Sequence, residues 1–582
     1  MRNKFGKKAT FLLMASLSLA FLAGCQDTSS NSAEEEGNNS SEEIELEDGT
    51  YNATAQGYGG ELAAEVVVES GEIKDIEVLE HEESSPVYSR AFPVIKERIL
   101  NEQSPDVDTV SAATFTSYAV KSAVADALKE AGHDFGEIEF ATETDETEKS
   151  ELEDVDTQLV IVGGGPAGLS SAISAKQAGV TDVILIEKLD ILSGNGKFDM
   201  NFFDMINSKA QKDNGQEITA EDFMEMKEDV KDSDERVEAW AEENFEIDQW
   251  LRDMDIELNY PYGETNHMAE EDEYAGEHIQ EHLEKTAYDL GVDIRTGTKG
   301  LDLIMDGNKT MGVKVENKEG YYNINADAVV VATGGFSAND ELLEEYAPGA
   351  EIVETSNQMG ATGDFIEVFK KHDIKLDHMD DLSVFKTIIT NRRDLTGGAD
   401  DFILVNKNGE RFIDENESGL EFAHTILDQE GEEAYYLYDQ EAYESFYRLQ
   451  KHVEEDYHTK ADTLEELAEE LGIDGDRLIE TIEQYNAVIE NGEEDPFRGE
   501  EISERKFAEE GPFYGVPIES AIHMTKGGVV ANEKAQIINN SDEPVEGLYA
   551  AGEVTDTSGA YSASVIFGKI SGREAGEYIL EQ

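Results

Sequence analysis

The chain has 582 residues, too many for one compact core, so several domains are expected, with room for an enzyme of ordinary size. Its 45 Lys plus Arg face 131 Asp plus Glu, a formal charge of -86, which repels nucleic acid and anionic lipid and argues against both as partners. So much like charge strains a fold in dilute buffer but is screened within a few ångströms at molar salt, so the composition reads as adaptation to a saline habitat.

At the N-terminus Arg2, Lys4, Lys7 and Lys8 precede an apolar run from Phe11 to Phe21 that is too short for a bilayer, the pattern of a secretory signal. Leu22-Ala23-Gly24-Cys25 follows and resembles the bacterial lipobox. That resemblance implies cleavage before Cys25, lipidation of its thiol, and membrane contact through an anchor on the extracellular face of the cell membrane. Cys25 is the single cysteine, so no intramolecular disulfide can form. Residues 1–25 are thus expected to be signal and lipobox. Residues 26–47, rich in Ser, Asn, Gly and Glu, form a disordered acidic tether, because so few apolar groups cannot fold.

A second acidic, weakly apolar stretch at 134–156 sets off a small α+β module at 48–133. Leu62–Val68 and Ile73–Leu79 flank Ser70-Gly71 as the arms of a hairpin. Helical spacing follows from about Ser89 to Asn101 and from about Ser117 to Ala131. Between them the small-residue loop Asp108-Thr-Val-Ser111-Ala112-Ala113-Thr114 leads into a helix start, whose open N–H groups favour a phosphate. The Asp108, Ser111, Ala113, Thr114 pattern resembles the FMN-binding domain of flavoproteins related to the sodium-pumping quinone reductase and the Rnf complex, with Ala112 where that family often has Gly. The resemblance implies FMN held covalently on Thr114 as a phosphoester, and a flavin transferase that puts it there.

From Gln158 the chain reads strand, glycine turn, helix, strand, acid: Gln158–Val162, then Gly163-Gly-Gly165-Pro-Ala167-Gly168, a helical stretch to Gly179, Val183–Ile186, and Glu187 followed by Lys188. Each element sits where a dinucleotide fold needs it. Gly163 permits the tight turn, Gly165 lets a pyrophosphate reach the backbone, Gly168 lets the helix pack on the strand, and Glu187 can accept from ribose hydroxyls. A late apolar strand from Ala326 runs into Gly334-Gly335, and Gly547–Gly552 ends in Glu553, so distant segments converge on one extended ligand, which favours FAD over NAD.

The region from about Gln158 to Gln582 resembles the flavoprotein subunit of the fumarate reductase and succinate dehydrogenase family, especially its secreted soluble members. The supporting matches are Gly194-Asn195, Gly360-Ala-Thr-Gly-Asp364, Gly409-Glu-Arg411-Phe412 with Glu415, His523-Met-Thr525-Lys-Gly-Gly528 and Ala551-Gly-Glu553. The resemblance implies an α/β architecture: a Rossmann-like domain holding non-covalent FAD at 157–353 and 506–582, with an α+β capping domain inserted at 354–505. It also implies that Ser564 and Val565 belong to the cofactor site. No metal site is expected.

By the same resemblance His523 stands where the family binds substrate carboxylate, with Thr525 beside it. The departures are equally informative. The family's proton-donating arginine falls on Gly419, and the loop Thr555–Ser564 lacks the arginine that clamps a carboxylate, which argues against fumarate as substrate. Among the cap's cations, Lys386, Arg392 and Arg393 fall in the segment that faces flavin in relatives. Arg393 or its neighbour could supply the lost proton or bind a carboxylate, while Tyr561 could donate to a carbonyl and Arg411 matches a structural position. The expectation is an extracytosolic oxidoreductase in which a membrane electron donor feeds FMN, FMN feeds FAD, and FAD reduces a small unsaturated acid or enone. Two alternatives stay open at this point, a dehydrogenase that desaturates its substrate and an electron carrier without a substrate site.

Overall fold

Alternation drives the small module's sheet: Leu62, Ala64, Val66 and Val68 all point inward from one strand and are buried. The structure, a computed structural model, describes residues 46–56, 61–81, 85–110, 113–133, 135–136, 138, 149–192, 194–197, 202–228, 230–270, 275–390, 395–396, 402–499, 505–556 and 561–582. Cys25, residues 26–45 of the tether, Ser111, Ala112, Arg392 and Arg393 lie outside the described residues. Of the last two tether residues, Leu46 is buried in the small module's core and Glu47 N donates to Ala131 O at 2.8 Å, so the module begins earlier than expected.

The expected hairpin is present as Glu61–Glu69 and Glu72–Glu80, antiparallel, and its turn residues Ser70 and Gly71 take φ of 58° and 75°, as a two-residue turn requires. A leading strand, Gly49–Gln56, completes a three-stranded sheet. Its Thr- and Asn-rich outer face carries no apolar run, which hid it in the sequence. Two helices, Ser85–Glu102 and Thr114–Glu130, supply the rest of the module's apolar core through Ala91, Ile95, Ile99, Val120, Val124 and Leu128. The second helix opens on Thr114, three residues earlier than the periodicity predicts.

The large unit is built on a nine-stranded sheet. At its heart Asp293–Arg295, Val183–Ile186, Val155–Val162, Gly320–Val331 and Pro544–Ala550 run parallel in that order, and the middle strands are buried on both faces, as Val160, Ile184 and Val330 show. Helix Pro166–Ala178 packs on this sheet and against the long C-terminal helix Tyr561–Leu580, where Ser171 and Ser571 hydroxyls meet at 2.8 Å.

A second, six-stranded sheet forms the cap. Its central strand is Phe513–Thr525, which pairs with Ala434–Asp439, Leu382–Ile389, Thr459–Ala461 and Glu354–Thr355. This strand lies beyond residue 505, in a stretch the sequence assigns to the FAD domain, while Phe365 and Phe369, from the stretch assigned to the cap, pack under the parallel sheet. The strand is shared because one end organises the cap and the other delivers His523 to the cofactor cleft. Beneath the cap, Arg411 grips Glu415 with two parallel bonds of 2.9 and 2.8 Å and also reaches Asp495, and Arg498 donates to Glu415 at 2.7 Å. Arg411 is thus structural, as its position in the sequence suggests. No helix among the described residues is long and apolar enough to cross a membrane.

Candidate functional site

Strands of a parallel sheet end on the same side, so their following loops meet. Here the loops after Val162, Ile186, Val331 and Ala550 converge under the cap and enclose a cavity of about 410 Å³. Gly163, Gly165 and Ala167 of the glycine turn line it, and the turn hands over to helix Pro166–Ala178 with no side-chain cap, leaving its first N–H groups for an anion. The turn tolerates nothing larger than glycine where it bends: Gly163 has φ +115, and a Cβ on Gly168 would lie 2.0 Å from the Gly163 carbonyl oxygen. Gly168 therefore packs strand against helix behind the cavity rather than lining it.

Glu187 lines the cavity, and its carboxylate accepts from Gly164 N at 2.8 Å and Leu189 N at 2.9 Å. Burial pushes its carboxyl above the usual range despite those bonds. The neighbouring Lys188 donates to Thr362 Oγ1 and Asp364 Oδ2, both at 2.6 Å, and Asp364 also pairs with Lys299. Burial would raise the Asp364 carboxyl, but the two lysines hold it below the usual range. Asp364 lies in a side cleft of about 40 Å³ and positions Lys188 at the rim of the main cavity.

The opposite wall is stitched by Asn195 and Glu553. Asn195 Nδ2 donates to Glu553 Oε2 at 3.3 Å, and Asn195 Oδ1 accepts from Gln358 N at 3.1 Å. Glu553 also accepts from Thr525 N at 3.1 Å and Thr525 Oγ1 at 3.3 Å, and burial pushes its carboxyl up. Gly194, Gly334 and Ser564 line the cavity. Gly335 does not; a Cβ there would lie 2.1 Å from Thr525 Oγ1, so this glycine makes room for the threonine. Val565 is fully buried in the core beneath the C-terminal helix, which corrects its expected place in the cofactor site. An extended ligand with a phosphate at the helix start and hydroxyls near Glu187 fits this set of donors and acceptors, as FAD requires.

Of the expected catalytic residues, His523 faces the cavity. Its ring stacks on Phe385 with centroids 3.7 Å apart and planes 12° apart, and its Nδ1 lies 3.0 Å from Ser356 Oγ. Burial pushes its pKa down to about 4, so it is neutral at physiological pH. Thr525 is placed differently from expectation: its hydroxyl accepts from Phe336 N and donates to Glu553, so it fixes the cofactor wall from behind. Tyr561 lends its ring to the cavity, but its hydroxyl donates to Gly276 O at 3.3 Å, away from any substrate carbonyl. Arg393 lies outside the described residues. Lys386 donates to the Glu415 carbonyl at 2.8 Å, and burial pushes its pKa down; it does not line the cavity.

The sequence left one cavity cation unnoticed. Arg448, second residue of cap helix Tyr447–Glu454, is buried and lines the cavity with Phe202, Phe385 and Leu395. Its Nη1 donates to Leu395 O at 3.4 Å, and its guanidinium lies 5.9 Å from the ring centroids of both Phe202 and Phe446. No fixed spacing announces such a residue. The available signal is the run Phe446-Tyr447-Arg448, a cation among aromatics in an otherwise acidic segment.

In the small module, Ser117 Oγ donates to Ala113 O at 2.8 Å and accepts from Val110 N at 2.9 Å, closing the turn that presents Thr114. Arg98 donates to the carbonyls of Asp108 and Thr109 at 3.1 and 2.8 Å and pairs with Asp190, which lies a few residues before Gly194 and Asn195 of the cavity. Ile191 from the FAD domain packs into the small module's apolar core. The loop before Thr114 is therefore tied through Arg98 to the segment of the FAD domain that leads to Gly194 and Asn195.

Residues 158–564 match the family described as FAD binding domain, and residues 57–129 match the FMN-binding domain. The NADH:fumarate oxidoreductase of Klebsiella pneumoniae (strain 342) is 28% identical over 551 residues, 90% of this chain and 58% of that protein, so the chain spans less than two thirds of that relative. The probable fumarate reductase Ifc3 of Shewanella frigidimarina (strain NCIMB 400) is 30% identical over 451 residues, 73% of this chain and 76% of that one. The urocanate reductase of Eggerthella lenta is 28% identical over 562 residues, 90% of this chain and 92% of that one. A solved structure of the open conformation of a flavocytochrome c3 fumarate reductase superposes with a TM-score of 0.66 at 29% identity, over 73% of this chain and 79% of the other. The chain thus belongs to the fumarate reductase and succinate dehydrogenase flavoprotein family, as an FAD-dependent oxidoreductase that also carries an FMN-binding domain.

Proposed function

We propose that this protein reduces the C=C bond of an α,β-unsaturated monocarboxylic acid, with electrons entering at the FMN module and reaching the FAD domain. The observation that carries the reading is the pairing of a buried guanidinium, Arg448, with a neutral imidazole, His523, in one aromatic-walled cavity. FAD, held by the glycine turn, Glu187 and the Asn195–Glu553 wall, would supply the hydride that such a reduction needs. Arg448 holds the substrate carboxylate and draws electron density from the double bond. His523 hydrogen-bonds without adding charge, and Phe202 and Phe385 exclude water and favour a flat or apolar substituent over a second carboxylate. Of the described cavity cations, Lys188 is tied to Asp364 while Arg448 stands among the aromatic walls with His523 lining the same cavity, and one anchoring cation speaks against fumarate. The relatives named for fumarate and urocanate reduction support the reaction class.

The wider reading keeps FMN bonded to Thr114 by a flavin transferase, a lipid anchor at Cys25 on the extracellular face of the membrane, a membrane electron donor, and Arg393 as proton donor. The reaction is tested by supplying reduced methyl viologen and single enoates to the protein carrying both flavins, and identifying products by mass spectrometry. Saturated monocarboxylic acids are expected. Turnover of fumarate alone would refute the monocarboxylate assignment, and oxidation of the saturated acids without any reduction of the enoates would make the protein a dehydrogenase.

A further inference from the structure

The junction between the small module and the FAD domain holds a guanidinium whose hydrogen bonding is incomplete. Arg90, on helix Ser85–Glu102, has a side chain only 10% exposed. Its Nη1 donates to Glu284 Oε1 at 2.7 Å. Gln280 Nε2 donates to the same oxygen at 2.8 Å and lies 3.5 Å from the carbonyl of Gly164, in the glycine turn. Arg90 Nε and Nη2, by contrast, are buried with no acceptor among the described residues. These two N–H groups form the forked edge of the guanidinium, the edge with which Arg411 grips Glu415 in the cap. A buried charged fork with nothing to accept from it is strongly disfavoured, so a partner outside the polypeptide is implied.

The location says what kind of partner. The charge of Arg90 reaches Tyr561, whose ring lines the FAD cavity and crowds Gly196, where a Cβ would lie 2.5 Å away. Two turns further along the same helix, Arg98 holds the loop before Thr114. One helix therefore carries both the arginine whose charge acts on a cavity tyrosine and the arginine that holds the loop before Thr114. We propose that Arg90 is a flavin-binding residue at the module junction, its Nε and Nη2 donating to two adjacent acceptor atoms of a bound flavin, either phosphate oxygens or the carbonyl edge of the ring. The inference rests on both flavin sites being filled.

The test uses Arg90→Lys, which keeps a charge for Glu284 but lacks the fork, and Arg90→Gln, which lacks both. Each is made in the full chain and in a Thr114→Ala background that carries FAD alone. If FAD is the partner, both variants weaken FAD binding about tenfold or more in the Thr114→Ala background, read by flavin fluorescence. If FMN is the partner, FAD affinity holds, and the FMN midpoint potential moves to more negative values in doubly loaded Arg90→Gln but much less in Arg90→Lys, because a cation near the ring favours its reduced form. A melting curve like the parent's separates loss of the contact from loss of the fold, and should Arg90→Gln not fold, Arg90→Met, of similar length and without the charge, replaces it. Unchanged FAD affinity in both variants together with an unmoved FMN potential in a folded Arg90→Gln protein overturns the proposal. No readout needs an enoate, so this proposal and the reductase reading can fail independently.

Discussion

His523 sits where the cap strand meets the cofactor cleft, and desolvation there drives its pKa down to about 4 from the 6.5 of an exposed imidazole. Between those values the unfolded chain binds a proton that the folded protein refuses, so stability falls as pH drops from 6.5 toward 4 and this contribution changes no further below. His523→Asn should flatten that part of the stability-versus-pH curve measured by thermal melting; an unchanged slope would show that the imidazole is not held neutral. Arg448 makes the complementary prediction. Arg448→Leu should lower kcat/KM for the enoate by about 10- to 100-fold, the worth of a charge-assisted contact, with FAD content unaltered. A variant with undiminished kcat/KM would remove Arg448 from the substrate site. These two residues also mark how far the sequence speaks at this scale. His523 belongs to a contiguous run, His523-Met-Thr-Lys-Gly-Gly528, whereas Arg448 meets its cavity partners only through tertiary packing, and the uses of Thr525 and Tyr561 turn on where each hydroxyl points.

Secondary-structure elements were more legible than side chains, because glycine turns and apolar strands are local. The unit from Gln158 through Gly163–Gly168 and helix Pro166–Ala178 to Val183–Ile186 was readable, its first strand only starting earlier, at Val155, since Gly163 and Gly168 are demanded by backbone contacts a Cβ would breach. Gly168→Ala should accordingly lose FAD and lower the melting temperature, its methyl having no room beside the Gly163 carbonyl; a variant that keeps full flavin would contradict the close helix-strand approach. The cap was less legible. Its central strand Phe513–Thr525 recruits partners more than 100 residues away in sequence, so no local composition change marks where the cap ends. Under that sheet the Arg411, Glu415, Asp495, Arg498 cluster is almost wholly desolvated. Glu415→Gln should cost about 3–5 kcal/mol in chemical denaturation, because it leaves two buried arginines short of charge. A cost well under 1 kcal/mol would mean the cluster is hydrated.

For the molecule as a whole, the charge of -86 is the dominant physical fact. Self-repulsion on that scale is relieved by screening, so the melting temperature should climb as KCl is raised from low to molar concentration, and a flat response would remove the saline reading. Charge also bears on how the modules work together. The loop before Thr114 is tied to the FAD domain by Arg98 and Asp190, with Arg90 and Glu284 as a second tie farther along the helix. That arrangement was beyond the sequence, which separates the modules by an acidic stretch and gives no sign that Ile191 enters the small module's core. The central claim is that electrons held on this protein leave through an enoate. Stopped-flow mixing of the dithionite-reduced, doubly flavinylated protein with a panel of unsaturated acids reads it directly through the return of oxidised-flavin absorbance. Rapid reoxidation by monocarboxylic enoates, with fumarate much slower, is the predicted result; a panel that leaves the flavins reduced while soluble electron carriers reoxidise them at once would contradict it.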